Sequence, residues 1–211
     1  MSEKWSQSQL DTAVEAGRTS ALSEALRVGR TDSPDEVLWR ISFAILSASE
    51  RFEATCRAYV ALKQRWLKTG WVPDFGCVAL LQEAGLIYAQ SKTAYLCRLW
   101  HERPAFSPAL WDVDLRYSLQ KRIWGLAWAK ASFATMLIRG SAQVCCIDTH
   151  MYAVLTGEPA RKGIPRKEYL YREGQISTLS VRHRLPTSVV QHAIWNVKRG
   201  VQSPLLPEVS A

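Results

Sequence analysis

Two stretches of this chain combine residue types and spacing that could do chemistry. The first is Ile123-Trp124-Gly125-Leu126-Ala127-Trp128-Ala129-Lys130-Ala131-Ser132-Phe133. A tight turn of glycine and small residues between two helices exposes backbone N–H groups, which can grip a phosphate without side chains and leave room for a monovalent cation. The second is Cys146-Ile147-Asp148-Thr149-His150, where a carboxylate stands at the start of a helix. An aspartate there is either a reacting group or simply a helix cap. The four histidines (His101, His150, His183, His192) have no paired-ligand spacing and the five cysteines no CxxC, so no metal site is expected. The Cys145-Cys146 doublet reads as core packing and the thiols as reduced, as in the cytosol.

The elements that must position these groups are helices. Apolar residues recur at helical spacing and strand-like alternation is nearly absent, which predicts an all-α chain of about ten helices. The expected spans are about 8–28, a buried helix opened by Ser33-Pro34 with a capping box to Glu36, 52–67 stopped by Gly70, and a helix from Pro73 to Gly85. They continue with 91–100, 115–124, one through Ile138, one from about Asp148, then 167–182 and 187–198. One compact body of two helical lobes fits 211 residues, 47% of them hydrophobic and 22% charged. The expected lobes are roughly 35–145, and 1–34 with 146–203, with 204–211 a flexible tail.

Charge narrows the partner. The chain carries 27 Lys+Arg against 19 Asp+Glu, net +8. Residues 1–53 hold six basic and nine acidic side chains, leaving 21 and ten for the rest, a net of +11. Such a body suits a polyanion, although a merely soluble basic protein is the alternative. No apolar run approaches the ~20 residues that span a bilayer, and no secretory signal follows Met1. A cytoplasmic location, no membrane association and a monomer are expected.

Together these stretches resemble the helix-hairpin-helix (HhH-GPD) DNA glycosylase superfamily, the endonuclease III-like fold. Ile45-Leu46-Ser47-Ala48 is similar to that family's "LLSAQ" helix end. Ala84-Gly85-Leu86 followed by Ser91-Lys92-Thr93-Ala94 is similar to its next conserved segment, Gly125 to Ser132 to the hairpin, and Ile147-Asp148-Thr149-His150 to "VDTH". No cysteine follows Cys146, so the iron–sulfur cluster of some members is not expected.

The resemblance implies double-stranded DNA as partner, an active cleft between two lobes, and no cofactor. It makes Asp148 the catalytic residue, because cleavage of an N-glycosidic bond develops cationic character at the sugar that a carboxylate stabilises. Lys130 lies 18 residues before Asp148, the separation of the family's nucleophilic lysine. Aligned without a gap from Gly125, however, that lysine falls on Ala129, and one residue rotates a helical side chain by about 100°. A phosphate-binding or helix-surface Lys130 and a monofunctional enzyme are the favoured reading, with a bifunctional nucleophile as the alternative.

DNA contacts are expected at Gly125, Ala127, Lys130, Ser49, Arg51, Arg161, Lys162, Arg166 and Lys167. Ser49 replaces the family's glutamine wedge. A base pocket is expected from Trp39, Glu50, Trp128 and His150, with stacking as the role of the tryptophans and core packing as their alternative. The hairpin and the Cys146–His150 stretch are also similar to a phage-associated branch of alpha-glutamyl/putrescinyl thymine pyrophosphorylase-like proteins and antiviral glycosylases. That implies excision of a modified pyrimidine, for example glucosylated hydroxymethylcytosine, to leave an abasic site. Alternatives are a transferase that attaches an amino-acid or polyamine group to an activated thymine, and a repair glycosylase for damaged bases.

Overall fold

The computed structural model describes residues 4–107, 109–159, 163–200 and 202–209. Among them the chain forms ten α-helices and no strand: α1 (Gln7–Val28), α2 (Pro34–Leu46), α3 (Phe52–Thr69), α4 (Cys77–Glu83), α5 (Ala89–Glu102), α6 (Asp112–Arg122), α7 (Trp128–Arg139), α8 (Thr149–Thr156), α9 (Arg166–His183) and α10 (Thr187–Arg199). None is long and apolar enough to cross a membrane. The chain divides into two compact units. One combines the residues up to Arg30 with Thr135–Leu205; the other is Thr31–Ala134 with the segment from Leu206.

In the second unit α2 is the central helix. Every residue from Leu38 to Leu46 is buried, as its apolar run requires. Trp39 is 0% exposed. Its ring lies 4.8 Å from that of Trp100, 5.6 Å from Trp66 and 6.0 Å from Tyr59, so it anchors an aromatic core. The expected capping box is absent: Ser33 makes no side-chain cap bond. Glu36 instead turns to Arg40 at 3.2 Å and Lys63 at 2.6 Å, where charged donors outbid one backbone N–H.

In the first unit α10 takes the central place, with Val189, Val190, Ala193 and Ile194 buried. It packs on α1, α8 and α9. Gly17 permits the α1 crossing, because a Cβ there would sit 2.7 Å from the carbonyl oxygen of Ala193. The reciprocal capping box of α1 runs between Ser6 and Gln9. Leu205, inside the expected tail, is buried and its N–H donates to Glu24 Oε2 at 2.9 Å, so the tail is tied down at this residue.

Candidate carboxylate site and nucleic-acid interface

Asp148 is the N-cap of α8. Its Oδ1 accepts from the Met151 N–H at 2.9 Å, and its Oδ2 accepts from the indole Nε1 of Trp195 at 3.2 Å. The carboxylate is half-buried, with both oxygens engaged. The stretch leading to it is pinned from α9. The Tyr169 hydroxyl, 1% exposed, donates to Cys145 O at 2.6 Å and accepts from Ile147 N–H at 3.2 Å. Glu173 accepts from the Cys145 N–H at 3.0 Å. A carboxylate so oriented, at the positive end of a helix, is fixed in direction, which is what stabilising a developing cation requires.

Trp195 and Tyr169 were not singled out in sequence. They stand 47 and 21 residues after Asp148, with nothing local to link them. Trp195 is set in turn by His192, stacked at 6.2 Å, and by Arg199, whose guanidinium lies 5.0 Å from the ring centroid. His150, expected in the base pocket, is exposed on the first turn of α8.

The hairpin between α6 and α7 leaves Gly125 and Ala127 exposed. Gly125 has φ +84°, and a Cβ there would come within 2.6 Å of Tyr95 Cδ2, so the turn needs glycine for both conformation and space. Trp124 beside it is exposed, with the Arg98 guanidinium 4.1 Å from its ring.

Three site expectations are corrected in this unit. Trp39 is core and offers no face to a base. Glu50 is no pocket group: its side chain is 1% exposed, and Oε1 accepts from the N–H groups of Ile87 (2.9 Å) and Tyr88 (3.2 Å) and from Lys92 Nζ (3.3 Å). Lys130 does not lie on the outer surface of the hairpin. It is half-buried, 5.5 Å from the Phe133 ring, and donates to Ser47 Oγ at 3.0 Å, because its place on α7 turns it inward. Trp128 is half-buried with the Arg116 guanidinium 5.0 Å from its ring centroid.

Ser49 and Arg51 are exposed in the α2–α3 turn, and Arg166 and Lys167 are exposed at the start of α9. Cations are disfavoured at the N-terminal end of a helix, where the dipole favours an anion. Arg161 and Lys162 lie outside the described residues.

No protein-family model matches this sequence, and no curated protein is significantly similar to it. Solved structures do match. The 8-oxoguanine DNA glycosylase of Thermotoga maritima has a TM-score of 0.73 at 20% identity, covering 92% of this chain and 95% of its own. An 8-oxoguanine glycosylase/lyase of Methanocaldococcus jannaschii, in complex with DNA containing 8-oxoguanine, has a TM-score of 0.68 at 17% identity over 92% and 91%. A second structure of an 8-oxoguanine DNA glycosylase from that organism scores 0.66 at 18% identity over 90% and 86%. At these identities the likeness is one of fold, and it extends over nearly the whole chain.

Proposed function

We propose that this chain is a DNA N-glycosylase in which Asp148 drives cleavage of the bond between base and sugar. The observation that carries the reading is the held carboxylate: Asp148 caps α8, is fixed by Met151 and Trp195, and follows a Gly125 hairpin, on a fold that solved DNA glycosylases share. The exposed backbone at Gly125 and Ala127 takes a DNA phosphate, and Arg51, Arg166 and Lys167 add charge toward the duplex. The target base leaves the stack, and Asp148 offsets the positive charge that grows on the sugar as the bond breaks, with water as the acceptor.

The enzyme is monofunctional in this reading. The reading rests on the ungapped alignment, which places the family's lysine on Ala129. The product is therefore an abasic site in an unbroken strand. The substrate proposed is a modified pyrimidine of the hypermodified phage type, in antiviral defence. A second reading, excision of an oxidised purine, is favoured by the fact that all three neighbours are 8-oxoguanine enzymes. The transferase alternative leaves the sugar–base bond intact.

The deciding experiment is mass spectrometry of small molecules released from DNA by the purified protein without any donor. Substrates are unmodified duplex, 8-oxoguanine duplex, uracil duplex and hypermodified phage DNA, with Asp148→Asn as control. Free base from one of these, with strand breaks only after alkali, establishes the monofunctional glycosylase and names its base. Borohydride trapping of a covalent DNA complex that Lys130→Ala abolishes would overturn the monofunctional assignment. Release from none moves the reading to a transferase.

A further inference from the structure

A buried ion pair lies in the α2–α6 unit, outside the chemistry assigned to Asp148. Lys92 on α5 is 3% exposed, and its ammonium has three acceptors: Leu46 O at 2.6 Å, Ala48 O at 2.7 Å and Glu50 Oε1 at 3.3 Å. Glu50 in turn accepts the N–H groups of Ile87 and Tyr88, just before α5. The ammonium thus sits at the carbonyl end of α2 and the carboxylate at the N–H end of α5, each at the helix end its charge favours.

This pair is an expensive way to gain stability, because two charges leave water. Burial pushes Lys92 down to about 8 even with Glu50 beside it. What the pair joins explains it better. Ser49 lies between the two gripped positions, Ala48 and Glu50. It is exposed and held at φ +57°, a left-handed conformation that a non-glycine residue adopts only when its surroundings impose it. At the other end of the link, Ile87 and Tyr88 are exposed by 76% and 55%. Two tips, one polar and strained and one apolar, are therefore tied through a single carboxylate.

We propose that Glu50 and Lys92 are positioning residues whose ion pair locks the Ser49 tip to the Ile87–Tyr88 tip, so that both meet distorted DNA as one pre-formed edge. The inference rests on the DNA-binding reading given above. Ordering the two tips in advance removes a cost otherwise incurred on binding, and it matters most where the duplex must be opened.

The test compares affinity for a duplex carrying a tetrahydrofuran abasic-site analogue with affinity for the same duplex intact, at one salt concentration. The proteins are wild type, Glu50→Gln and Lys92→Met, each with its thermal melt. Glu50→Gln keeps an acceptor for Ile87 and Tyr88 and leaves Lys92 two carbonyl acceptors while removing the charge, so it is the milder of the two variants. The expected result is loss of the preference for the gapped duplex by about tenfold, with intact-duplex affinity nearly unchanged. A pair that serves stability alone would lower the melting temperature and leave the preference at the wild-type ratio; that result overturns the proposal while the glycosylase reading stands. Wild-type protein that binds neither duplex overturns that reading and the clamp with it.

Discussion

The indole N–H of Trp195 on α10 points at Oδ2 of Asp148 at 3.2 Å, while the other carboxylate oxygen caps α8. One carboxylate therefore has two donors from two helices, and its direction is set jointly by the turn that carries it and by tertiary packing. A hydrogen bond to an ionised group contributes about 1.5–3 kcal/mol, enough to hold a single rotamer.

Asp148→Asn should abolish base release and leave duplex binding close to wild type. Asparagine caps helices about as well as aspartate but sets its NH2 against the Trp195 N–H, so the melting temperature should fall only modestly. Trp195→Phe keeps the ring but removes the donor. It should lower kcat by about tenfold or more with little change in KM, because the bond acts on the reacting carboxylate. Single-turnover kinetics on the identified substrate checks both, and an unchanged kcat in Trp195→Phe would sink the assigned role.

Gly125→Ala should weaken DNA binding and destabilise the α2–α6 unit together. The left-handed backbone costs a non-glycine residue about 1–2 kcal/mol, and the new methyl would meet the Tyr95 ring, so the turn must shift. Gel-shift affinity and a thermal melt read the two effects. Binding at wild-type strength would remove the hairpin from the DNA interface.

His192 should make the fold acid-sensitive. Burial pushes its pKa down to about 4, against the pull of Glu24 and the Ser203 backbone. Between about 6.5 and 4 the unfolded chain takes up a proton that the folded one refuses, so stability falls as pH falls through that window. The full loss approaches about 3 kcal/mol. Urea unfolding at pH 7 and pH 4.5 should show it in wild type and a smaller drop in His192→Gln. Equal drops in the two proteins would refute the assignment.

Trp39→Ala should cost about 3–5 kcal/mol of stability as a large core truncation, whereas excision per folded molecule should be unchanged. Trp39→Phe should be much milder. The Trp39 Nε1 is buried without a hydrogen-bond partner among the described residues, so phenylalanine removes an unsatisfied donor along with part of the ring. Chemical denaturation and base release on the same samples separate the two effects. Selective loss of release in Trp39→Phe would restore Trp39 to the base pocket.

Local signals in the chain carried the helices, the hairpin and the cap. The all-α reading rests on apolar spacing, which burial repeats faithfully in α2, where Leu38 to Leu46 are all inside. Gly70 and Gly157 end α3 and α8 in left-handed conformations, and Asp148 starts α8, because capping depends on residues within one turn of each other. The partners of the site were not legible in this way. Trp195 reaches Asp148 across 47 residues, Lys92 reaches Leu46 across 46, and Lys130 reaches Ser47 across 83. No periodicity encodes such pairs, since they depend on how helices cross. The same physics misplaced Trp39 and Glu50: residue type marks a tryptophan as able to stack and a glutamate as able to bond, but only the packing of α2 and α5 determines whether a base or the protein itself receives them.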